Sequence, residues 1–404
     1  MRTMISMLML AGLTAPLHAH PGPHTPGQAA AQAAAQPPQP REKFADAERA
    51  FRDARATLIK DYVDDTVSED DLYRGAVAGM LTAGGSKWDA LLSPTELNDL
   101  HSDLTGEVVG IGVEIGIDQA NGFIVVIDTF PGSPAGKAGL AAGDRILKVD
   151  GKSVRGADGM EIARGIRGKA GTSVSLSLLH EDRIVTVNLK RAAIPIAAAS
   201  DLMLPDSVAL VWVRAFNEKT PELLRASLTR VAAAHPRGVV LDLRHNQGGL
   251  LDKMIECAGQ LLPKGSTIAT EVLRGKREEV LRTTGEPLLK GVPLTVLVDG
   301  WTASGAELLA GALRDNLGAR LVGSRTHGKW NVQKISDLPN GYAIKYTIGV
   351  FKTPKGLQPD GKGLDPEVPV DLDEKTVEHM QRVKESATRV AGDAQLRAAL
   401  ALLK

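Results

Sequence analysis

The chain has 404 residues, of which 43% are hydrophobic, 24% charged and only 3% aromatic. That length allows two or three domains, with cores built mainly from Leu, Val, Ile and Ala. Lys plus Arg equals Asp plus Glu at 48 each, so the charge balance gives no argument for an acidic membrane surface, and nucleic acid is not an expected partner.

In chain order, residues 1–19 read as a signal peptide. Arg2 gives a positive start, Met4 to Leu17 is largely apolar, and Leu17-His18-Ala19 ends on the small residue that a cleavage site requires. The apolar run is too short for a stable membrane anchor. No cysteine follows it for lipid attachment, so an exported protein, periplasmic or associated with the cell envelope, is expected. Residues 20–42, with PGPHTPG and QPPQP, cannot bury enough apolar surface to order themselves and read as a tether. The three histidines from His18 to His24 suit a solvated tail better than a metal scavenger.

Residues 43–103 carry a helical pattern. Phe51, Ala54, Leu58 and Tyr62 fall on one helix face, and Ser68 with Asp71 caps a second run from Leu72 to Leu81. Residues 104–192 change to short strands and glycine turns. Strands are predicted over 113–117, 122–129, 174–179 and 184–189, with a helix over 159–166.

Residues 193–372 alternate strands with helices, an α/β core around a largely buried sheet. Strands are predicted over 208–213, 238–243 and 294–298, with a short one at Leu321-Val322. A helix opens at Thr220-Pro221 with Thr as its cap, and others cover 250–262 and 304–317. Residues 332–338 and 342–350 read as a hairpin around Pro339-Asn340-Gly341. The final segment, 373–404, reads as helix. Cys257, the only cysteine, lies on an apolar stretch as a buried inert thiol.

Ser304 stands between a buried strand and a helix, where free N–H groups and the helix dipole can stabilise an oxyanion. On local sequence alone it is an N-cap. Lys329, in Gly328-Lys329-Trp330-Asn331-Val332-Gln333, can take a proton from a serine only if its amine is neutral, which desolvation favours. Trp330 and Val332 supply apolar bulk there, and Gln333 can fix the amine without adding charge. Alone, Lys329 reads as a surface residue. Gly248 and Gly249 follow the strand ending at Asp242-Leu243-Arg244, so their backbone can approach a ligand, and one N–H there can complete an oxyanion hole with Gly305.

Asp242 to Gly249, Gly300 to Glu307, and Arg325-Thr326-His327-Gly328-Lys329 through Gln333 together resemble the C-terminal processing (tail-specific) proteases, serine peptidase family S41. Gly361-Lys362-Gly363-Leu364-Asp365-Pro366-Glu367-Val368 resembles a further stretch of that family. The resemblance spans roughly residues 45–400. It implies a catalytic Ser304, Lys329 and Gln333 in a tail-specific protease core of the crotonase-like type. Trp301-Thr302, Gly305, His245, Gln247 and His327 depart from the family pattern, which bears on substrate preference. A Ser–His pairing of His327 with Asp299 or Asp315 is the lesser reading, because the Ser–Lys–Gln spacing already completes a site.

Residues 104–192 resemble a PDZ domain. Gly110-Ile111-Gly112-Val113 stands as the carboxylate-binding turn, and Gly139 to Gly151 carries the pattern on. The implied function is an exported endopeptidase that recognises proteins by apolar C-terminal tails. A PDZ scaffold with a dead protease core is the alternative, and the intact Ser304, Lys329 and Gln333 argue against it. An adaptor or activator protein and a second copy of the chain are further candidate partners. No metal or cofactor is expected.

Overall fold

The computed structural model describes residues 8–10, 46–64, 66–118, 123–130, 132–157, 159–181, 183–195, 197–373, 376–377 and 386–403. Apart from Leu8–Leu10, the expected signal peptide and tether lie outside the described residues. The chain forms two compact units. One comprises residues 1–11, 93–335 and 347–404, the other residues 12–92 and 336–346.

The smaller unit holds the helices Ala47–Asp61 and Glu69–Ala83. Ser68 caps the second through a reciprocal box with Asp71, as the sequence predicts. The strand Ala90–Leu92 pairs antiparallel with residues 343–345.

In the larger unit, the helix Pro94–Thr105 opens with a second such box, Ser93 with Glu96. The strands Glu107–Gly110 and Ala192–Pro195 then pair antiparallel at the entry and exit of the β-rich module. Between them the strands Val113–Asp118, Phe123–Thr129, Arg145–Val149, Ser173–His180 and Arg183–Lys190 form one antiparallel sheet, with the two-residue strand Lys152–Ser153 paired to Arg145–Val149 as its sixth. Ile162 and Ile166 of the helix Gly159–Ile166 close its core against Ile124, Val126, Ile146 and Leu176.

The α/β core is a six-stranded sheet. Ala199–Leu204 pairs antiparallel with Val208–Val213, and Gly238–Asp242, Leu294–Val298, Arg320–Gly323 and Val368–Pro369 follow in parallel. Alternate residues face opposite layers. Ala209, Val211, Val239, Leu241, Val296 and Leu321 pack on the side of the helices Thr220–Ala233, Leu251–Ala258 and Gly305–Leu317. Leu210, Val240, Leu297 and Val322 pack against Leu396, Ala399 and Leu403 of the chain's last turns. Burial on both faces explains the unbroken apolar runs.

Several local expectations are corrected. Thr220 is the first helical residue, not the cap. Its hydroxyl donates to Ala215 O, and Asn217 Oδ1 accepts from the Lys219 and Thr220 N–H groups. Leu250 belongs to a short strand, Gly248–Leu250, and the helix starts at Leu251. The C-terminal helical segment includes, among the described residues, the short helices Ser386–Gly392 and Ala394–Ala401. They are divided at Asp393, whose carboxylate caps the second by accepting from Leu396 N.

Asp393 also serves the core. Arg244 is fully buried and donates to both Asp242 and Asp393 at 2.8 Å, and to Gln395 at 3.0 Å. The two carboxylates keep the guanidinium charged, and the nearby cations hold Asp242 below its usual range despite the cost of burial. The Asp-Leu-Arg stretch thus ties the end of a core strand to the C-terminal helices. Arg244→Met strands two buried carboxylates and is expected to cost about 3–5 kcal/mol, read as a lower midpoint in denaturant.

Candidate active site

Ser304 caps the N-terminus of Gly305–Leu317 with φ 57° and ψ −120°, a backbone conformation that costs a non-glycine residue of order 1–3 kcal/mol. Such strain persists only where the surroundings enforce it, and here they do. Ala303 N donates to Asn246 O, and Thr302 Oγ1 donates to Leu243 O. The serine turn is thereby stitched to the glycine turn that follows Asp242. Asn246 is fully buried and ties that turn back to the sheet through Nδ2 to Val213 O.

The glycine turn meets the helix start directly. A Cβ on Gly305 would lie 3.7 Å from Gly248 Cα and 3.3 Å from Phe216. Gly249, at φ +141°, has Phe216 O where a Cβ would sit, at 2.2 Å, so no other residue fits. Gly248 donates its N–H to Asn246 Oδ1 at 2.9 Å, so that expected oxyanion donor is engaged in this state. Gly305 is the first helical residue, and its N–H is one of the donors that a helix leaves unpaired.

Sequence reading missed the residue that joins the two halves of the site. Glu307 is fully buried and accepts from five donors. Its Oε2 takes the N–H groups of Ser304 and Lys329, each at 2.9 Å. Its Oε1 takes Thr326 Oγ1 at 2.5 Å, Gly328 N at 2.9 Å and Trp330 Nε1 at 3.1 Å. One carboxylate oxygen therefore fixes the backbones of the serine and the lysine against the same point. Burial pushes the Glu307 carboxyl above its usual range, while the donors pull it back. The sequence signal was there, since Ser304-x-x-Glu307 ahead of an apolar helix is a capping box.

Lys329 and Gln333 are fully buried, and Trp330 and Val332 between them belong to the main core. Alternation along the strand Asn331–Asp337 therefore turns Asn331 and Gln333 away from that core, to one common side. Ser304 Oγ is buried without a hydrogen-bond partner among the described residues. It is thus bonded neither to a base nor to His327, whose Nδ1 lies 3.1 Å from Gly300 O. Asp299 accepts from the His245, Trp301 and Thr302 N–H groups, and Asp315 accepts from Arg314 and Lys355 N at the far end of the helix. Neither candidate base bonds Ser304 in this state, and Asp299 and Asp315, the acids of the Ser–His reading, are held by other partners.

Leu8–Leu10 lies as a strand between Gly248–Leu250 and Asn331–Asp337. Leu8 is opposite both Leu250 and Gln333, and Leu10 is opposite Gly248. The slot between the glycine turn and the lysine strand thus has the width of one extended chain.

In the β-rich module, Gly110, Ile111, Gly112 and Val113 line a cavity of about 300 Å³ with Ile115, Phe130 and Ile166. Gly112 has φ +74°, and a Cβ there would meet Ser133 Cβ at 2.2 Å. Ser133 Oγ in turn donates to Gly112 O. Among the described residues no His, Cys, Asp and Glu group could hold a metal. Cys257 is buried, and burial pushes its thiol up, in keeping with an inert role.

The chain thus combines a doubly covered, mostly parallel sheet that carries a strained serine at a helix N-terminus with an antiparallel six-stranded module. Residues 207–370 match peptidase family S41 and residues 130–180 match the PDZ domain. The chain is 30% identical over 316 residues to the carboxy-terminal processing protease CtpA of Bacillus subtilis (strain 168), covering 78% of this chain and 67% of that one. It is 32% identical over 304 residues to a probable CtpA-like serine protease of Staphylococcus aureus (strain N315), covering 75% of this chain and 60% of that one. Relatives of that group are thus matched over about 60% of their length.

Among solved structures, the photosystem II D1 C-terminal processing protease is 27% identical, with a TM-score of 0.52 over 87% of this chain and 98% of that one. A putative S41 protease from Bacteroides fragilis NCTC 9343 shares the fold at 16% identity, with a TM-score of 0.55 over 86% of this chain and 96% of that one. The chain belongs to peptidase family S41, among the C-terminal processing proteases.

Proposed function

We propose that this chain is an exported serine endopeptidase. Its PDZ domain captures the apolar C-terminal tail of a protein substrate, and Ser304 cleaves the chain. The observation that carries this reading is the shared carboxylate of Glu307, which holds the Ser304 and Lys329 backbones to one oxygen. In the proposed cycle Lys329 takes the Ser304 proton, and Ser304 Oγ bonds to the peptide carbonyl carbon. The oxyanion rests on the N–H groups of Gly305 and Gly249. The peptide C–N bond then breaks as Lys329 returns the proton to the leaving amine, and water releases the acyl group. Gln333 keeps the lysine oriented. The free Ser304 hydroxyl fits a resting state in which the serine–lysine bond forms only with substrate, or with an adaptor protein, in place.

Export rests on residues 1–19. Among the described residues no helix is long and apolar enough to cross a membrane. Assembly with a second copy also remains part of this proposal.

Tail reading has a direct test. An unfolded substrate ending in Leu or Val is expected to show a KM about tenfold lower than the same substrate ending in Asn, since an amide placed against Ile111, Val113, Ile115, Phe130 and Ile166 without a hydrogen bond costs about 1–3 kcal/mol and 1.4 kcal/mol is a factor of ten. Ala163→Glu, which places a charge in the same cavity, is expected to erase the difference. Equal KM values for both tails would remove the PDZ groove from substrate selection.

A further inference from the structure

The strand face that carries Gln333 also carries a polar group that the proposed mechanism does not use. Asn331 is 2% exposed, and its Oδ1 is buried without a hydrogen-bond partner. A buried carbonyl oxygen left unpaired costs about 1–3 kcal/mol, and such a group in a native fold calls for an explanation. Trp330 and Val332 both belong to the core, so Asn331 faces the same side as Gln333.

The backbone register says what comes to that side. Leu8 pairs with Gln333, and the same antiparallel register continued by two residues would bring an extended chain's next inward position, that of Leu10, opposite Asn331. Leu10 stands opposite Gly248, beside the start of the Ser304 helix. An extended substrate in this slot therefore places one residue between Asn331 and the glycine turn. Its side chain stands on the Asn331 face, because directly opposed residues share a face.

We infer that Asn331 determines specificity at this substrate position, selecting a residue whose side chain donates a neutral hydrogen bond, a hydroxyl or a primary amide. Oδ1 can only accept, so an aliphatic side chain there leaves it unpaired, while Ser, Thr, Asn or Gln satisfies it. A site built to hydrogen-bond a substrate group rejects the isostere that lacks it. A charged ammonium is the poorer occupant, because full burial penalises an ion more than a hydroxyl. The inference rests on the peptidase reading and adds a substrate class to the same site.

The test is a peptide series in which Thr or its isostere Val is placed in turn at each position flanking the cleaved bond, with fragments identified by mass spectrometry. At one position the wild-type protein is expected to prefer Thr by about 5- to 150-fold in kcat/KM, the factor corresponding to the cost of one unpaired buried group. Asn331→Leu, of similar size, is expected to lose that preference or reverse it, with the pH profile of kcat unchanged. Should Asn331→Leu fail to fold, the wild-type series alone decides. Cleavage with Thr and Val equivalent at every position overturns the inference and leaves the peptidase reading standing. A loss of selectivity accompanied by a displaced pH profile also overturns it, because Asn331 would then act through Lys329. Absence of cleavage of every peptide removes the peptidase reading and this inference with it.

Discussion

Ser304→Ala and Lys329→Ala are each expected to lower kcat/KM for an unfolded protein substrate by at least about 10⁴-fold, while leaving the melting temperature nearly unchanged. The magnitude follows from removing a nucleophile or its base from a unit that works only when complete. For the same reason the double variant should be hardly worse than either single one. Ser304→Ala removes an oxygen that makes no hydrogen bond in this state, and it relieves nothing in the packing around Glu307. Lys329→Ala leaves the backbone N–H that Glu307 holds, so the local frame survives. A folded Lys329→Ala protein retaining wild-type cleavage would rule out the lysine as base.

Glu307 substitutions are expected to separate positioning from chemistry. Glu307→Ala leaves five donors facing a cavity, among them the N–H groups of Ser304 and Lys329 and the Trp330 indole. A loss of about 3 kcal/mol or more follows if even two or three of them stay dry, roughly 10 °C in melting temperature for a domain of this size. Glu307→Gln keeps the volume but turns an NH₂ group towards N–H donors on one side. It is expected to fold, with kcat reduced about 10²-fold and KM little changed, since small displacements of reacting groups cost that much. A purely structural role would lower both variants' stability and leave kcat per folded molecule intact, which steady-state kinetics on folded protein would detect.

How much of this was legible in the sequence follows from the range of each interaction. The strands Val208–Val213 and Leu294–Val298 were readable because burial on both faces demands continuous apolar runs, which survive any detail of packing. Ser304 and Lys329 looked bland singly, as a helix cap and a surface lysine, and gained meaning only through their spacing. Glu307 was overlooked because its capping box is a local pattern, whereas its other partners come from residues 326 to 330 on another segment. Arg244 shows the same limit, since Asp393 and Gln395 lie about 150 positions away. Thr220 and Leu250 were misplaced by one position or one element because Asn217 and Phe216, from the preceding loop, take the backbone groups there. Asn331 carried no signal at all, since an unpaired oxygen is visible only once its surroundings are built.

The central claim is that Ser304 becomes a nucleophile through Lys329. Reaction with a fluorophosphonate, followed by peptide mass spectrometry, tests it most directly, because the reagent bonds to an activated serine without needing a known substrate. A single adduct on Ser304 is expected, absent in Ser304→Ala and reduced at least about 10³-fold in rate in Lys329→Ala. An adduct elsewhere, or labelling of Ser304 at the wild-type rate without the lysine, would contradict the account.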